Sequence, residues 1–390
     1  MSQFPLLEHY PELIYLDSAA ACQVPAEVLQ AIQHYYQYQH ANVHRAGHRL
    51  GRAATLALEQ ARAQLAAFMG APAEQVTLQS STTAVLNYLA QYLPVSWQAG
   101  DEVLLTRAEH HANILPWQRL AERHQLQLKY IDIDPQTGAL SAWEELLTAR
   151  TKVVSVTFAS NVTGALFDIE PLLQRAQQQG SWTIVDAAQA AAHYPLRASE
   201  LGCDALVFSA HKVYGVAGCA PLYLSERLLT QLPPMLVGGG VVQQVTPTQA
   251  TFIDGIQRFE AGSPNTAAAV AAAAAVQWLA KQDGQRLSAL RSLLVSELRQ
   301  RAWLNVLPSG LQATPTVAFY SNEFHAYDVA TWLDQHGIAV RAGHHCAQVF
   351  LQHWQLPAVV RVSLGVYITE AHIHQFLQTL DAGWALFSSD

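Results

Sequence analysis

Two stretches decide the fold of this chain: T-I-V-D-A-A-Q at Thr183–Gln189 and A-L-V-F-S-A-H-K at Ala205–Lys212. Each begins as a short apolar run and ends in polar residues, which predicts a buried strand followed by a loop. Continuous apolar runs are typical of parallel strands that are covered on both faces. Asp186 and Lys212 should therefore reach a common point beyond the carboxyl ends of a parallel sheet.

The same pattern recurs from about residue 75 to residue 225, with helical stretches such as Ile169–Gln179 between the runs. Helices are also predicted over residues 25–40 and 51–69, ahead of these runs. Together they predict an α/β fold whose large domain carries a mostly parallel, seven-stranded sheet. The predicted strands are Val76–Leu78, Glu102–Leu105, Leu126–Ile131, Lys152–Phe158, Thr183–Val185, Ala205–Phe208 and Ala220–Leu224.

The C-terminal part of the chain has a different pattern. Residues 265–302 predict two helices that are separated near Asp283, and short strands and helices alternate after them. We expect a smaller α+β domain at residues 265–390, joined by residues 1–20, and a large domain at residues 21–264. The predicted elements of the smaller domain are Thr316–Tyr320, Ala326–His336, Arg361–Ser363 and Thr369–Leu386.

The composition is that of a globular protein with two cores. The chain has 390 residues, of which 51% are hydrophobic and 13% charged. The net charge is −8 and no basic block occurs, so we expect no nucleic-acid partner. Ala267–Val276 is too short to span a membrane and predicts a buried helix. The absence of a secretory pattern and of C-x-x-C pairs among four cysteines predicts a cytoplasmic protein.

Asp186 and Lys212 together predict pyridoxal-phosphate chemistry. A lysine amine can hold the cofactor aldehyde as a Schiff base, and a carboxylate can keep the pyridine nitrogen protonated. Either residue alone is more often a loop residue or a helix cap. Ser209 and His211 can bind the cofactor phosphate, and Gln189 can donate to the phenolic oxygen of the ring, so the combination favours a cofactor site.

Two further polar segments follow predicted strands. Ser80–Thr83 opens a helix, where hydroxyl and N–H groups form an anion site, although most such clusters are plain helix caps. In Glu109–Asn113 an imidazole can stack on the pyridine ring opposite the lysine. The adjacent His110 and His111 lack the spacing of metal ligands, so we expect no metal site.

R-A-G-H-H-C-A-Q at Arg341–Gln348 predicts a reactive thiol. Cys346 lies in a polar, basic, glycine-containing loop, where His or Arg neighbours raise the fraction of thiolate, the nucleophilic form. Cys203 and Cys219 flank apolar runs and are interpreted as buried structural residues. Arg361 opens a short predicted strand, where its guanidinium can bind a substrate carboxylate as a bidentate pair.

These segments together resemble the class V aminotransferase family of pyridoxal-phosphate enzymes. More narrowly, they are similar to group II cysteine desulfurases of the Suf/Csd type, a group that includes selenocysteine lyase-like activity. The motif at Arg341–Gln348 is the most specific, because it separates group II from the rest of the class. The resemblance covers nearly the whole chain, with further motifs at Tyr15–Ala20, Val43–His48, Glu109–Asn113, Ser160–Gly164, Asp186–Gln189, Ser209–Gly215 and Phe259–Asn265.

The resemblance implies a fold type I homodimer with its active site at the subunit interface. It implies that Lys212 holds the cofactor, that Asp186 pairs with the ring nitrogen and that Cys346 attacks the substrate sulfur. His111 would stack on the ring, and Gln189 would bond its O3′ oxygen. Thr83, Ser209 and His211 would bind the phosphate with Ser263 from the partner subunit, and Asn161 and Arg361 would orient the substrate.

The chain departs from the family pattern in a few places. The loop at Gly215–Ala220 lacks the usual proline and carries more bulk. Ser263 replaces a usual threonine, Ala187 a glycine and Ile368 an asparagine. None of these changes removes a chemical group of the mechanism, but they leave the native substrate and partner open.

We therefore expect a cysteine desulfurase that converts L-cysteine to L-alanine and passes a persulfide from Cys346 to a small acceptor protein, as in iron–sulfur cluster assembly. The nearest alternative is a selenocysteine lyase or another class V lyase or aminotransferase. A cofactor-free sulfur-carrier or scaffold protein is an alternative of another class, against which intact Lys212 and Asp186 argue. A nucleotide-binding dehydrogenase is disfavoured, because no G-x-G-x-x-G follows an early strand.

Overall fold

The computed structural model describes residues 3–44 and 47–387. The helices are α1 (Pro5–His9), α2 (Ala26–His34), α3 (Arg49–Met69), α4 (Thr82–Tyr92), α5 (Leu115–His124), α6 (Glu170–Gln178), α7 (Glu226–Gln231), α8 (Thr266–Leu279), α9 (Gly284–Arg299), α10 (Ala326–Gln335), α11 (Gln348–His353) and α12 (Glu370–Phe387). The strands are β1 (Ile14–Tyr15), β2 (Val76–Gln79), β3 (Glu102–Thr106), β4 (Gln127–Ile131), β5 (Thr151–Thr157), β6 (Trp182–Asp186), β7 (Ala205–Val207), β8 (Ala220–Leu224), β9 (Val242–Val245), β10 (Ala250–Phe252), β11 (Asn305–Val306), β12 (Thr316–Tyr320), β13 (Ile338–Ala339), β14 (Arg341–Gly343) and β15 (Val359–Ser363).

A seven-stranded sheet forms the centre of the fold, with the strand order β2-β8-β7-β6-β5-β3-β4. Strands β7, β6, β5, β3 and β4 run parallel, and β8 is antiparallel to both β2 and β7. Central strands such as β6 are buried along their whole length, because helices cover both faces. The predicted α/β fold with a mostly parallel sheet is confirmed, and each predicted strand of this sheet is within one residue of the observed one at either end.

A second sheet has four antiparallel strands in the order β11-β12-β15-β14. Leucines of α9 and apolar residues of α10 and α12 form a core with it. Ile14 and Leu16, from near the start of the chain, belong to the same core, and β1 pairs in parallel with β13. We therefore propose that residues 14–16 belong to the smaller domain, while Phe4 packs between Trp278 and Tyr367.

Helix α8 packs with the large sheet. Its buried alanines share a core with Leu58 of α3 and Val156 of β5. Small side chains allow neighbouring helices to approach closely, and α8 lies against both α2 and α3. We therefore propose that the domain boundary lies after Leu279, where Asp283 caps α9, and not at residue 264 as the sequence suggested.

Two other regions differ from the sequence-based expectations. An exposed hairpin joins β9 and β10, and no strand was predicted there because the side chains do not form a buried apolar run. The predicted helix over residues 25–40 ends at His34 and continues as a π-helical turn at Tyr35–Gln39. Among the described residues, no helix has the length and apolar character needed to cross a membrane.

Candidate active site

A cavity of about 250 Å³ lies at the carboxyl ends of β5, β6 and β7. Its wall combines the loops after these strands with the start of α4 and with two arginines of the small sheet. Lys212, Asp186 and Cys346 all line it. The lysine, the aspartate and the cysteine on which the predicted chemistry depends therefore share one cavity.

A groove of about 910 Å³ is larger, but it contains none of the predicted site residues. It is bounded by side chains such as Trp143, Tyr194 and Leu311. The described residues also contain no group of three His, Cys, Asp or Glu side chains that could hold a metal ion. The smaller cavity, which holds the predicted lysine, aspartate and cysteine, is therefore the candidate active site.

Lys212 and Asp186 reach the cavity from neighbouring parallel strands. Asp186 is the last residue of β6, and Lys212 ends the 3-10 turn that follows β7. Burial lowers the pKa of the Lys212 amine, although Asp186 opposes this effect. Burial raises the pKa of the Asp186 carboxyl, whereas the Ala188 N–H and Lys212 lower it. A protonated ring nitrogen fits beside this carboxylate, because a buried carboxylate is stabilised by a positive partner.

The start of helix α4 lies in the cavity wall. Ser81 caps the helix, and the Thr82 hydroxyl lies 2.8 Å from Ser209 Oγ, which ties the helix to the turn after β7. Thr83 and His211 line the same cavity. Hydroxyl and N–H groups at a helix start suit a phosphate group. The residues predicted to bind the phosphate within one chain are therefore brought together.

His110, and not His111, forms part of the cavity wall. His110 Nδ1 accepts a hydrogen bond from the Ala112 N–H at 3.0 Å, which places the ring proton on Nε2. Burial and the charge of Lys212 lower the pKa of His110 to about 4. His111 lies outside this wall, and its Nε2 accepts from the Gln348 N–H at 3.2 Å. The candidate for ring stacking is therefore His110 and not the predicted His111, because only the His110 imidazole faces the cavity, whereas His111 faces Gln348.

The loop that carries Cys346 is fastened to the large sheet. The His111 N–H donates to Cys346 O at 2.7 Å, and Asn161 Nδ2 donates to His345 O at 2.6 Å. His345 and Cys346 both have left-handed backbones, with φ of 52° and 55°, which non-glycine residues adopt at a cost. Cys346 is half-buried, in contrast to the buried Cys22, Cys203 and Cys219.

Arg361 lies in the middle of β15 with its guanidinium in the cavity wall. Its Nη2 donates to Asp17 Oδ1 at 2.7 Å, and its Nη1 donates to Asn161 O at 2.9 Å. Burial lowers the pKa of the guanidinium, whereas Asp17 raises it. Arg341, on the neighbouring strand β14, also lines the cavity. Arg341 was not among the predicted site residues, and its place in the thiol motif is the signal that could have indicated it.

Three buried polar atoms in the cavity wall have no hydrogen-bond partner among the described residues. They are Asn161 Oδ1, His345 Nδ1 and Arg361 Nε. Buried polar atoms are usually paired, so a cluster of unpaired ones is a sign of a missing ligand. A guanidinium, an amide oxygen and an imidazole nitrogen suit the carboxylate and amine of an amino acid. The donor set of the cavity therefore fits both pyridoxal phosphate and an amino-acid substrate.

Gln189 and Ser263 lie in different places. Gln189 lines the cavity, and its Nε2 donates to Ala19 O at 2.9 Å. Ser263 is exposed and lies outside the cavity, in a surface hollow of about 430 Å³ beside Gly239 and Gly240.

The unusual loop after Lys212 does not reach the cavity. Val216 and Cys219 pack on the core of the large sheet with Phe208, and residues 216–220 are not part of the cavity wall. The added bulk therefore affects packing behind the site. In the motif at Val43–His48, residues 45 and 46 lie outside the described residues.

Comparisons with known proteins agree with this geometry. Residues 14–376 match the family Aminotransferase class-V. A probable cysteine desulfurase of Vibrio cholerae serotype O1 is 39% identical, over 97% of this chain and 96% of that protein. The apo structure of a cysteine desulfurase from Thermococcus onnurineus NA1 has a TM-score of 0.92 and 31% identity over 98% of both chains. The cysteine desulfurase CsdA (S-sulfonic acid) from Escherichia coli has a TM-score of 0.90 and 32% identity, over 98% of this chain and 97% of that chain.

The fold and the cavity define a pyridoxal-phosphate enzyme of the class V aminotransferase type. The chain belongs to this family and, within it, to the cysteine desulfurases. The resemblance that the motifs indicated is thereby confirmed, together with the class of enzyme and its cofactor.

Proposed function

We propose that this protein converts L-cysteine into L-alanine with the help of pyridoxal phosphate and keeps the sulfur as a persulfide on Cys346. The observation that carries this proposal is that Lys212, Arg361 and Cys346 line one cavity of about 250 Å³. An amine for the cofactor, a cation for the substrate carboxylate and a thiol for the sulfur are thus within reach of one small molecule.

The proposed cofactor site uses the residues described above. Pyridoxal phosphate, when bound, supplies an aldehyde for an amine and a ring that accepts electron density from the substrate carbon. We assign Lys212 to the aldehyde, Asp186 to the ring nitrogen and Gln189 to the ring oxygen. The phosphate is assigned to Thr83, Ser209 and His211, and the ring face to His110.

Arg361 and Asn161 would orient the substrate. The guanidinium is held by Asp17, so its position is set before the substrate arrives. Its Nε and the Asn161 Oδ1 have no partner among the described residues, which leaves one donor and one acceptor for an amino acid. A carboxylate placed against this guanidinium gains charge-assisted hydrogen bonds.

Lys212 and Cys346 would carry the two bond-breaking steps. Burial lowers the pKa of Lys212, so more of the amine is neutral and able to take the proton from the substrate Cα. Cys346 Sγ then forms a bond to the substrate sulfur while the substrate Cβ–Sγ bond breaks. The electron pair of the broken bond stays with the carbon, which takes up a proton and becomes the methyl group of alanine. The persulfide remains on Cys346.

We further propose a homodimer that hands the persulfide sulfur to a small acceptor protein. Ser263 is exposed beside Gly239 and Gly240. In the segment around these glycines, Val237 and Val245 have 70% and 62% of their surface exposed, and a second copy would cover this apolar surface. All four cysteines are free thiols, which supports a reducing, cytoplasmic location. Iron–sulfur cluster assembly is the proposed use of the sulfur.

Mass spectrometry after incubation with L-cysteine tests the proposal. We expect free alanine in the solution and the mass of one sulfur atom added to the peptide that contains Cys346. Alanine without sulfur on Cys346 would contradict the assignment of the thiol. A purified protein that binds no pyridoxal phosphate would contradict the whole proposal.

A further inference from the structure

A buried carboxyl group lies directly behind the cavity wall, at Glu109. Its side chain has no exposed surface, and burial raises its pKa to about 8. Glu109 Oε1 accepts hydrogen bonds from Thr106 Oγ1 at 2.6 Å and from the Thr157 N–H at 2.8 Å. Its Oε2 accepts from Asn113 Nδ2 at 2.7 Å. The mechanism above does not use this group, although burying it is costly.

The orientation of the Asn113 amide is determined by its other partners. Asn113 Oδ1 accepts from Ser155 Oγ at 2.6 Å and from Trp117 Nε1 at 3.2 Å. Because the indole N–H can only donate, the atom that faces it must be the oxygen. Nδ2 therefore faces Glu109, and the Oε2 atom of Glu109 must act as an acceptor.

This network joins two strands at the edge where the cavity lies. Glu109 follows β3, and Thr157 is the last residue of β5. Thr157 lines the cavity, and so does His110, the residue directly after Glu109. Glu109 and Asn113 do not line it. They act on the site only through the residues that they hold in place.

We propose that Glu109 and Asn113 form a hydrogen-bonded pair that positions His110 and Thr157 in the wall of the cofactor cavity. The inference rests on the proposed function, because it gives these two wall residues a cofactor ring to face. Both members of the pair are positioning residues. In this pair the Asn113 amide donates and the Glu109 carboxyl accepts. The pair can therefore be tested by swapping the two functional groups between the positions.

Exchange of the two functional groups is the decisive test. Glu109→Gln replaces one of the two accepting oxygens with an amide NH2 group. That group must then face another donor, either the Thr157 N–H or Asn113 Nδ2. Asn113→Asp brings two carboxyl groups face to face, which is a mismatch once both are ionised, so this variant is compared with the wild type above the raised pKa of Glu109. The double variant E109Q/N113D restores the match, because the amide introduced at position 109 can donate to the carboxylate introduced at position 113. That carboxylate still accepts from Ser155 and Trp117. Non-additivity of this kind isolates the pair from its surroundings.

The measurement uses the full chain loaded with pyridoxal phosphate. Each single variant is expected to weaken cofactor binding about tenfold and to shift the visible absorption maximum, and the double variant to return to within about threefold of the wild type. Cysteine turnover should follow the same order. A double variant no better than the worse single variant would overturn the proposal. So would single variants that bind cofactor normally and lose only thermal stability.

Two further arms separate the possible failures. If the single variants do not fold, Thr106→Val removes one donor to Glu109 at little change in volume, and an unchanged absorption spectrum in that variant overturns the proposal. A wild-type protein that binds no pyridoxal phosphate contradicts the proposed function. If the wild type binds pyridoxal phosphate and the single variants bind it equally well, only the proposal of the positioning pair is contradicted.

Discussion

Asp17 and Arg361 form an ion pair, with Asp17 Oδ1 2.7 Å from Arg361 Nη2, in the wall of the candidate active site. Only 2% of Arg361 is exposed, and Asp17 reaches it from the loop after β1. The cation assigned to the substrate carboxylate is therefore fixed by a residue 344 positions away along the chain. The ion pair therefore holds the Arg361 guanidinium in place before any substrate binds.

Arg361→Lys tests the role of the guanidinium in binding cysteine. Lysine keeps the charge but loses the planar fork, so we expect KM for cysteine to rise about 10- to 100-fold with a smaller change in kcat. Steady-state kinetics measure both. Arg301→Lys is a matched control, because Arg301 forms a two-point pair with Asp381 and neither residue lines the cavity. An unchanged KM in Arg361→Lys would contradict the assignment.

Asp17→Asn tests how strongly the ion pair stabilises the fold. The change leaves a buried guanidinium without its counter-charge, and we expect the free energy of unfolding to fall by about 2–3 kcal/mol. Urea denaturation measures the difference. Asp381→Asn, which removes the more exposed partner of Arg301, should cost no more than about 1 kcal/mol. Equal losses in the two variants would argue against a special role for Asp17.

Lys212→Ala should abolish turnover and the borohydride-sensitive visible absorbance of the protein. The amine is the group assigned to the cofactor aldehyde, and no other lysine among the described residues lines the cavity. Lys281→Ala is the control, because Lys281 is exposed and pairs with Glu27 at the surface. Retention of a reducible chromophore in Lys212→Ala would place the attachment elsewhere.

Cys346→Ala should abolish persulfide formation and lower cysteine turnover by about 100-fold or more. Selenium leaves carbon more readily than sulfur does, so selenocysteine turnover should fall less. Comparing both amino acids in wild type and variant distinguishes a desulfurase from a selenocysteine lyase. The buried Cys203 offers a control, since the Cys203→Ala variant should still form the persulfide on Cys346. Full-rate desulfuration by Cys346→Ala would refute the sulfur assignment.

The buried His345 predicts a loss of stability in acid. Burial lowers its pKa to about 3 from the ordinary value of 6.5, so between these values the unfolded state binds the proton and the folded state does not. The free energy of unfolding should therefore rise with pH in this window, by about 1.4 kcal/mol per unit for this group. Denaturation at several pH values should show a shallower slope for His345→Gln. Parallel slopes would mean that His345 is protonated in the folded state.

The large sheet was predictable because its strands are continuous apolar runs with polar ends. Ala220–Leu224, for example, is recovered with both of its limits. The surface against which helix α8 packs was not predictable. A helix that is mostly alanine has no apolar stripe, so its pattern indicates burial but not the surface against which it packs.

The site was partly predictable for a related reason. Residues that follow parallel strands converge, so Asp186 and Lys212 could be paired from the sequence. The choice between His110 and His111 depends on which of the two imidazoles faces the cavity, and no periodicity reveals this. The contacts of Glu109 reach a strand 48 positions away, and only the folded chain brings them together.

The cavity wall combines residues from two sheets. Arg341 and Arg361 lie on strands of the small sheet, while Asp186 and Lys212 lie at or just beyond the ends of strands of the large one. The proposed catalysis thus depends on the alignment of the two sheets. A remote substitution that tilts one sheet against the other can inactivate the enzyme while both remain folded, so inactivity in a variant of this protein is no proof of a damaged catalytic group.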